Sequence, residues 1–414
     1  MEITNCRIRG REGLWDVCCK DGKFQSITVH EPQAEKAGTY DAKGCLMMPP
    51  FVEPHIHLDC VMTAGIPHYN MSGTLFEGIS TWQEYKTTQP LRIPEIKDRA
   101  RGALRLMAEY GVQFVRTHAD ITEPSLAALQ ALLELRDELK GNIELQIVAF
   151  PQNGIRSVRD GKDLMIRSME MGADCVGGIP HFEFCREYGV ESLKFIFDLA
   201  EKYDAMVDVH CDEMDDEQSR YLEVLATLAW ERNWGPRTVA AHTCAMGSYN
   251  DSYCTKLFRL LQESEINFNS CPTESIHLQG RTESYPKRRG ITRIKELSDA
   301  GMNIALGQDS IADPWYPIGV GDLLRVLEMG LHAGHMMGYN DLRRCLDFIS
   351  QNGAKNLCLE QDYGIEEGRP ASFILLNGKD DYEIIRFHSA VLLSVHNGKI
   401  ISEKTPAVAA VYDI

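Results

Sequence analysis

Positive charge is in short supply in this chain. Against 60 Asp and Glu it carries 43 Lys and Arg, a formal net charge of −17 at pH 7. Nucleic-acid binding rests on Lys and Arg neutralising phosphates, so such a balance argues against a nucleic-acid partner. A small neutral or cationic molecule suits it better. Long apolar runs are missing as well: no stretch approaches the roughly 20 apolar residues of a membrane span, and no membrane partner is expected. Met1 to Gly10 lacks the apolar core of a signal peptide, so a cytoplasmic protein is the expectation. No Cys-x-x-Cys pair occurs among the 13 cysteines, an odd number scattered along the chain with only Cys18 and Cys19 adjacent. They read as reduced, mostly packing residues. Internal repeats, low-complexity tracts and obvious interdomain linkers are absent too.

What is present fits a large enzyme-sized fold. The chain has 414 residues, 44% hydrophobic and 25% charged, ordinary proportions for a globular protein with ample core. Both ends look β-rich. Glu2 to Arg9, Leu14 to Lys20 and Lys23 to Val29 read as strands, as do Ala371 to Leu376, Ala390 to Val395 and Val408 to Tyr412. Residues 1–48 and 367–414 are therefore expected to form one small β-sandwich domain. Residues 49–366 alternate strand-like and helical segments, as parallel βα units do. Eight strands are expected there: Phe51–Asp59, Val112–Asp120, Glu144–Gln152, Asp174–Glu183, Met206–Glu213, Thr238–Thr243, Ile266–Thr273 and Asn303–Ser310. Leu126, Leu129, Leu132, Leu133 and Leu139 share one side of a helix ending near Gly141. Eight units point to a (β/α)₈ TIM barrel, whose active site lies at the carboxyl ends of the strands. A doubly wound open sheet is the alternative, disfavoured because no Gly-rich phosphate loop follows the first strand.

The polar residues fall where such a barrel would use them. His55-Ile56-His57 ends the first strand, and residues i and i+2 of a strand point to the same side. His210 ends the fifth with Glu213 three residues on, His242 ends the sixth, and Asp309 ends the eighth. Barrel closure would bring these ends to one mouth, and imidazoles with a carboxylate suit Zn²⁺ or Fe²⁺. Each residue also has a plainer reading. His210 or His242 alone would pass as a satisfied core or loop histidine. Asp309 could cap a helix, and Glu213 sits in the acidic run Asp212–Glu217 that reads as a solvated face. It is the coincidence of all of them at one end of a barrel that favours a metal site. His118, His181 and His277 also fall near strand ends and read as supporting or structural histidines.

The order His55-x-His57, His210, His242, Asp309 resembles the amidohydrolase superfamily, and longer stretches are similar to its bacterial cytosine deaminases. These include Pro50–Asp59, Ser72–Gly78, Val148–Gln152, Ile179–Phe184, His210–Glu213, Ile276–Arg281, Tyr285–Arg293 and Asp313–Pro317. The resemblance implies one divalent metal, Zn²⁺ or Fe²⁺, held by His55, His57, His210 and Asp309. It implies that His242 orients or deprotonates the attacking water, with Asp309 sharing the proton, and that Glu213 carries protons to the substrate ring. Gln152 would read the pyrimidine edge, with Phe150 and Trp315 shaping the pocket. The absence of a lysine near His181-Phe182-Glu183 agrees with a single metal. The implied activity is hydrolytic deamination of a free cytosine-like base (cytosine, 5-methylcytosine or isocytosine) by a homo-oligomer.

Two stretches depart from the family pattern. Asp309-Ser310 stands where two successive aspartates are expected, after Gln308 in place of a histidine, so the pocket beside Ser310 is expected to be roomier and less charged. Ser270–Ser275 also differs. Deamination of creatinine or another cyclic amidine is the alternative activity, and a barrel that binds without catalysis is a third. The other zinc-deaminase architecture is excluded, because its Pro-Cys-x-x-Cys does not occur.

Overall fold

A computed structural model of the protein describes residues 1–31, 38–405 and 410. Strands β1 (Glu2–Ile8), β2 (Trp15–Lys20), β3 (Lys23–Val29), β4 (Thr39–Asp41) and β5 (Leu46–Met48) come first. Eight barrel strands follow: β6 (Phe51–Ile56), β7 (Val112–Asp120), β8 (Glu144–Phe150), β9 (Cys175–Gly178), β10 (Met206–Cys211), β11 (Thr238–His242), β12 (Asn267–Ser270) and β13 (Ile304–Leu306). The chain then returns with β14 (Phe373–Leu376), β15 (Val391–His396) and β16 (Lys399–Glu403). The expected strand at 408–412 lies, all but Ala410, outside the described residues.

The barrel strands pair in sequence order, parallel throughout, from β6 to β13. The ends meet: Asp309 N donates to His55 O at 2.9 Å and His57 N to Asp309 O at 3.1 Å, closing the sheet. Helices such as Ala127–Leu139, Arg186–Tyr203, Asp251–Ser264 and Leu323–Ala333 run between or after the strands, as right-handed parallel crossovers require. The helix Ala127–Leu139 buries Leu129 and Leu132 of the expected stripe together with Ala128 and Leu135, while Leu133 and Leu139 are half-buried. Two expected strands are shorter because their ends turn helical. After β9 the chain bends into a short 3₁₀ turn at Pro180–Phe182, and after β12 Pro272 opens the helix Pro272–Leu278, proline being tolerated in a first helical turn.

The terminal strands form a separate mixed sheet, ordered β16-β15-β14-β5-β1-β2-β3 with β4 beside β1. It folds over its own apolar cluster, where Ile3, Val17 and Phe24 from one end meet Phe373, Leu393 and Val395 from the other. Lys23 bridges Pro370, joining the two ends. Among the described residues, no helix is long and apolar enough to cross a membrane.

The barrel interior holds one notable charge. Arg116, on β7, is fully buried and donates to Asp208 on β10 at 2.9 Å and to Gln146 at 2.8 Å. Asp208 also lies 3.3 Å from His118 Nε2, so the ion pair beneath the strand ends reaches up to the histidines above it.

Candidate active site

Backbone closure places the first functional pair. Glu53, buried on β6, accepts from His55 N at 2.9 Å and, through both oxygens, from Gln308 N at 3.1 and 3.0 Å. That carboxylate pins the ends of β6 and β13 together. The approach is close enough that a Cβ on Gly307 would stand 2.7 Å from Glu53 Oε1 and 3.2 Å from His55 Cβ, so a side chain there would part the strands.

At this mouth the imidazoles converge. His210 Nε2 lies 3.2 Å from His55 Nε2 and 3.1 Å from His57 Nε2, and Asp309 Oδ1 is 3.5 Å from each of those two Nε2 atoms of His55 and His57. Four ligand atoms about 2.0–2.1 Å from one tetrahedral ion would lie about 3.3–3.4 Å apart. The observed spacings bracket that figure. His242 follows: its Nδ1 is 3.7 Å from Asp309 Oδ2 and 3.8 Å from Glu213 Oε1. Burial, reinforced by the neighbouring imidazoles, holds His55, His57, His210 and His242 well below the usual histidine range, so their lone pairs stay free. Among the described residues, His242 has no hydrogen-bond partner on either ring nitrogen, and four groupings of His55, His57, His118, His210, His242, Glu213, Cys271 and Asp309 bring ligand atoms within 4.8 Å of one another. Neutral, unpartnered imidazoles facing a carboxylate fit a divalent cation.

Two acids of the run Asp212–Glu217 part ways. Asp212 accepts from Ser219 Oγ at 2.6 Å, Tyr221 N at 3.0 Å and Leu222 N at 2.9 Å, and so fixes the loop that leads into the helix Tyr221–Glu231. Glu213 is left facing the cavity, 5% exposed. Burial first, then the charge of Asp309, pushes its carboxyl well above the usual range. Asp309 is itself raised to about 8, by burial and then by the Asp313 charge. Asp212, His242, Thr243 and Asp309 all adopt positive φ, at 52°, 64°, 47° and 69°. Left-handed backbone on four non-glycine residues costs free energy at each, and here it lies where strands turn into functional loops.

The cavity is narrow and is lined by His57, Leu75, Gln152, His210, Glu213, His242, Glu274, Asp309, Ser310 and Trp315. Trp315 is held by its amide on Asp313 Oδ1 at 2.9 Å and packs on the helix Leu75–Thr88, where a Cβ on Gly78 would meet its ring at 2.6 Å. Phe150 stands one layer behind. It stacks on His210 with centroids 4.0 Å apart and planes at 22°, supporting the imidazole rather than facing the cavity. His118 belongs to the same layer, its ring 4.0 Å from that of His55. His181 is half-buried with both ring nitrogens shielded from solvent, while His277 lies outward beside Arg281.

Glu274 and Leu75 escaped the reading of the sequence. Leu75 lies within the stretch Ser72–Gly78 that carries the family resemblance, and Glu274 within the stretch Ser270–Ser275 that departs from it. That departure was the available signal. Glu274, 4% exposed, places a carboxyl next to the Ser310 hydroxyl.

A histidine–carboxylate centre able to hold a metal, set in the mouth of a (β/α)₈ barrel, defines a metallohydrolase type of site. The chain belongs to the amidohydrolase family, whose model matches residues 69–402. The 5-methylcytosine deaminase of Klebsiella pneumoniae, solved with 5-fluorocytosine, is 53% identical, with a TM-score of 0.97 and 99% of each chain covered. The N-isopropylammelide isopropyl amidohydrolase of Pseudomonas sp. (strain ADP) is 28% identical over 421 residues, covering 98% of each chain. The pterin deaminase of Rhizobium rhizogenes is 23% identical over 403 residues, covering 95% of this chain and 90% of that one.

Proposed function

We propose that this protein is a metal-dependent deaminase that hydrolyses a free cytosine-like base, 5-methylcytosine or cytosine foremost, and releases ammonia. The observation that carries the reading is the single cavity shared by His57, His210, His242, Glu213 and Asp309 in a chain so similar to the Klebsiella 5-methylcytosine deaminase. Among the described residues, no Lys or Arg lines that cavity. A nucleotide phosphate would have no counter-charge, and this favours the free base.

His55, His57, His210 and Asp309 would hold the ion, and their nitrogen and oxygen donors suit Zn²⁺ or Fe²⁺. When bound, such an ion lowers the pKa of water toward neutrality and so supplies a nucleophile. The rest falls to side chains. Glu213, whose carboxyl is pushed well above its ordinary range by burial and then by the Asp309 charge, donates to the ring nitrogen beside the amino-bearing carbon and makes that carbon electrophilic. His242 and Asp309, 3.7 Å apart, take the water proton and pass it to the departing nitrogen. Gln152 hydrogen-bonds the far edge of the ring, Trp315 walls the cavity, Phe150 steadies His210, and Ser310 borders the carbon-5 position.

Ammonia release from cytosine, 5-methylcytosine, isocytosine and creatinine by the purified protein tests the reading. Turnover of the first two is expected. Release from creatinine alone, or from none of the four, would refute it.

A further inference from the structure

The mechanism leaves one buried acid of the cavity without a task. Glu274 sits in the first turn of the helix Pro272–Leu278, lines the cavity and is 4% exposed. Its Oε2 has no hydrogen-bond partner among the described residues. A buried carboxyl oxygen in that position forfeits its solvation, so an unmet acceptor facing a cavity points to a donor on whatever fills it.

The strand order says which part of a ligand that would be. Gln152 follows β8, Glu213 follows β10 and Glu274 follows β12, while the barrel closes between β13 and β6. Counting round eight strands, Glu274 lies four strands from Gln152, diametrically across the mouth, with Glu213 midway between them. In a cytosine ring the carbon bearing the exocyclic amine lies opposite N1, and N3 lies between that carbon and the carbonyl edge. A ring whose carbonyl and N1 edge meets Gln152 and whose N3 meets Glu213 therefore turns its amine toward β12. Ser310 and Asp309, after β13, border the same side.

We propose that Glu274 is a further substrate-contacting residue: its free oxygen accepts a hydrogen bond from the exocyclic amine and then from the ammonia that leaves. The assignment rests on the deaminase reading above. Oε2 keeps an acceptor lone pair whether the carboxylate is ionised or carries a proton on its other oxygen. No bond to Glu274 forms or breaks; the leaving nitrogen takes its proton from His242 or Asp309 and departs as ammonia past the carboxyl. The arrangement makes Glu274 a selector for rings with an N–H donor at this position and a poor neighbour for the product carbonyl that replaces it, since two acceptors would then face each other.

Two ligands and two substitutions test this on the full-length, metal-loaded protein by calorimetry. 4-Amino-2-pyridone keeps the amine but lacks the ring nitrogen that Glu213 protonates, so it is bound without being hydrolysed. Uracil carries the carbonyl instead. Glu274→Leu should weaken 4-amino-2-pyridone by about tenfold, the worth of one buried hydrogen bond, and leave uracil unchanged or tighter. Glu274→Gln, whose amide oxygen still accepts, should restore the amine ligand to within about threefold of the parent. Equal effects of Glu274→Leu on both ligands, or none on either, would overturn the assignment while ammonia release by the parent left the function standing. A parent that released no ammonia from cytosine or 5-methylcytosine would overturn both.

Discussion

Ser310→Asp is the substitution that most sharply tests how the cavity chooses among bases. Ser310 is 1% exposed, lines the cavity, and its hydroxyl sits beside Glu274 and Asp313. It cannot swing away by moving its backbone, because a Cβ on Gly319 would already stand 2.0 Å from Ser310 O. An aspartate there must extend into the cavity. It takes up space of about one methyl group, and burying a 5-methyl substituent in that space is worth ~0.8 kcal/mol, about fourfold in kcat/KM. The new carboxyl also joins Glu274 and Asp313. Two like charges 4 Å apart at an effective dielectric of 20 repel by about 4 kcal/mol, so the added group or a neighbour must hold a proton. Activity should fall on both bases through that crowding, while the ratio of kcat/KM for 5-methylcytosine over cytosine falls by a further factor of about four. Comparing the two bases within each protein cancels the common loss. An unchanged ratio would show that Ser310 does not border the carbon-5 position.

Three further outcomes follow from the same geometry. Glu213→Gln should retain its metal, since Glu213 is not among the proposed ligands, yet lose turnover by at least ~10²-fold; a near-normal rate with metal content unchanged would move the acid elsewhere. His210→Ala removes the imidazole whose Nε2 lies within 3.2 Å of the Nε2 atoms of both His55 and His57, and elemental analysis should find most of the metal gone, equal content in mutant and parent being the refuting result. His388 bonds Asp322 at 2.7 Å, and that hydrogen bond is the main cause of its raised pKa. The folded protein thus holds a proton that the unfolded chain releases near pH 6.5. The pair's stabilisation, about 0–1 kcal/mol for a partly exposed pair, is fully present below that value and lost as pH rises through the folded pKa. Denaturant titrations should show His388→Ala less stable than the parent at pH 5.5 and matched to it at pH 9; a constant difference would refute the linkage.

What the sequence made legible was whatever depends on period and order. His55 and His57 share a side because strands alternate with period two, and the eight apolar runs that became β6 to β13 were visible because barrel strands are buried on both faces. Asp309 could be placed beside His55 because a closed barrel makes its last strand the neighbour of its first. What stayed hidden depends on where a side chain points as a strand turns into a loop. Asp212, His242 and Asp309 take left-handed backbone, which Asp and His adopt more readily than most residues but still only at a small minority of positions, so the run Asp212–Glu217 gave no sign that one acid would anchor a helix and the next face the cavity. Phe150 belongs to the site, as its stretch of sequence implies, but stacks on His210 and does not line the cavity. Glu274 was hidden for a related reason: Pro272 ends the strand early, and the helix that begins there turns the acid inward.

The cavity's charges argue for the chemistry more strongly than any one residue does. Glu213, Glu274 and Asp309 line it and Asp313 stands just behind, all four raised by burial, with the charge of another acid of the group also raising Glu213, Glu274 and Asp309. The imidazoles among them are held neutral and contribute no positive charge. Without a cation the acids could not all ionise in so small a space. A divalent ion held at the proposed ligand Asp309 would supply the missing charge. The remaining carboxyls then face a ligand that can donate hydrogen bonds and accept a proton but brings no negative charge of its own. An amino-substituted, neutral heterocycle meets each of those conditions, and a phosphate-bearing nucleotide fails the last.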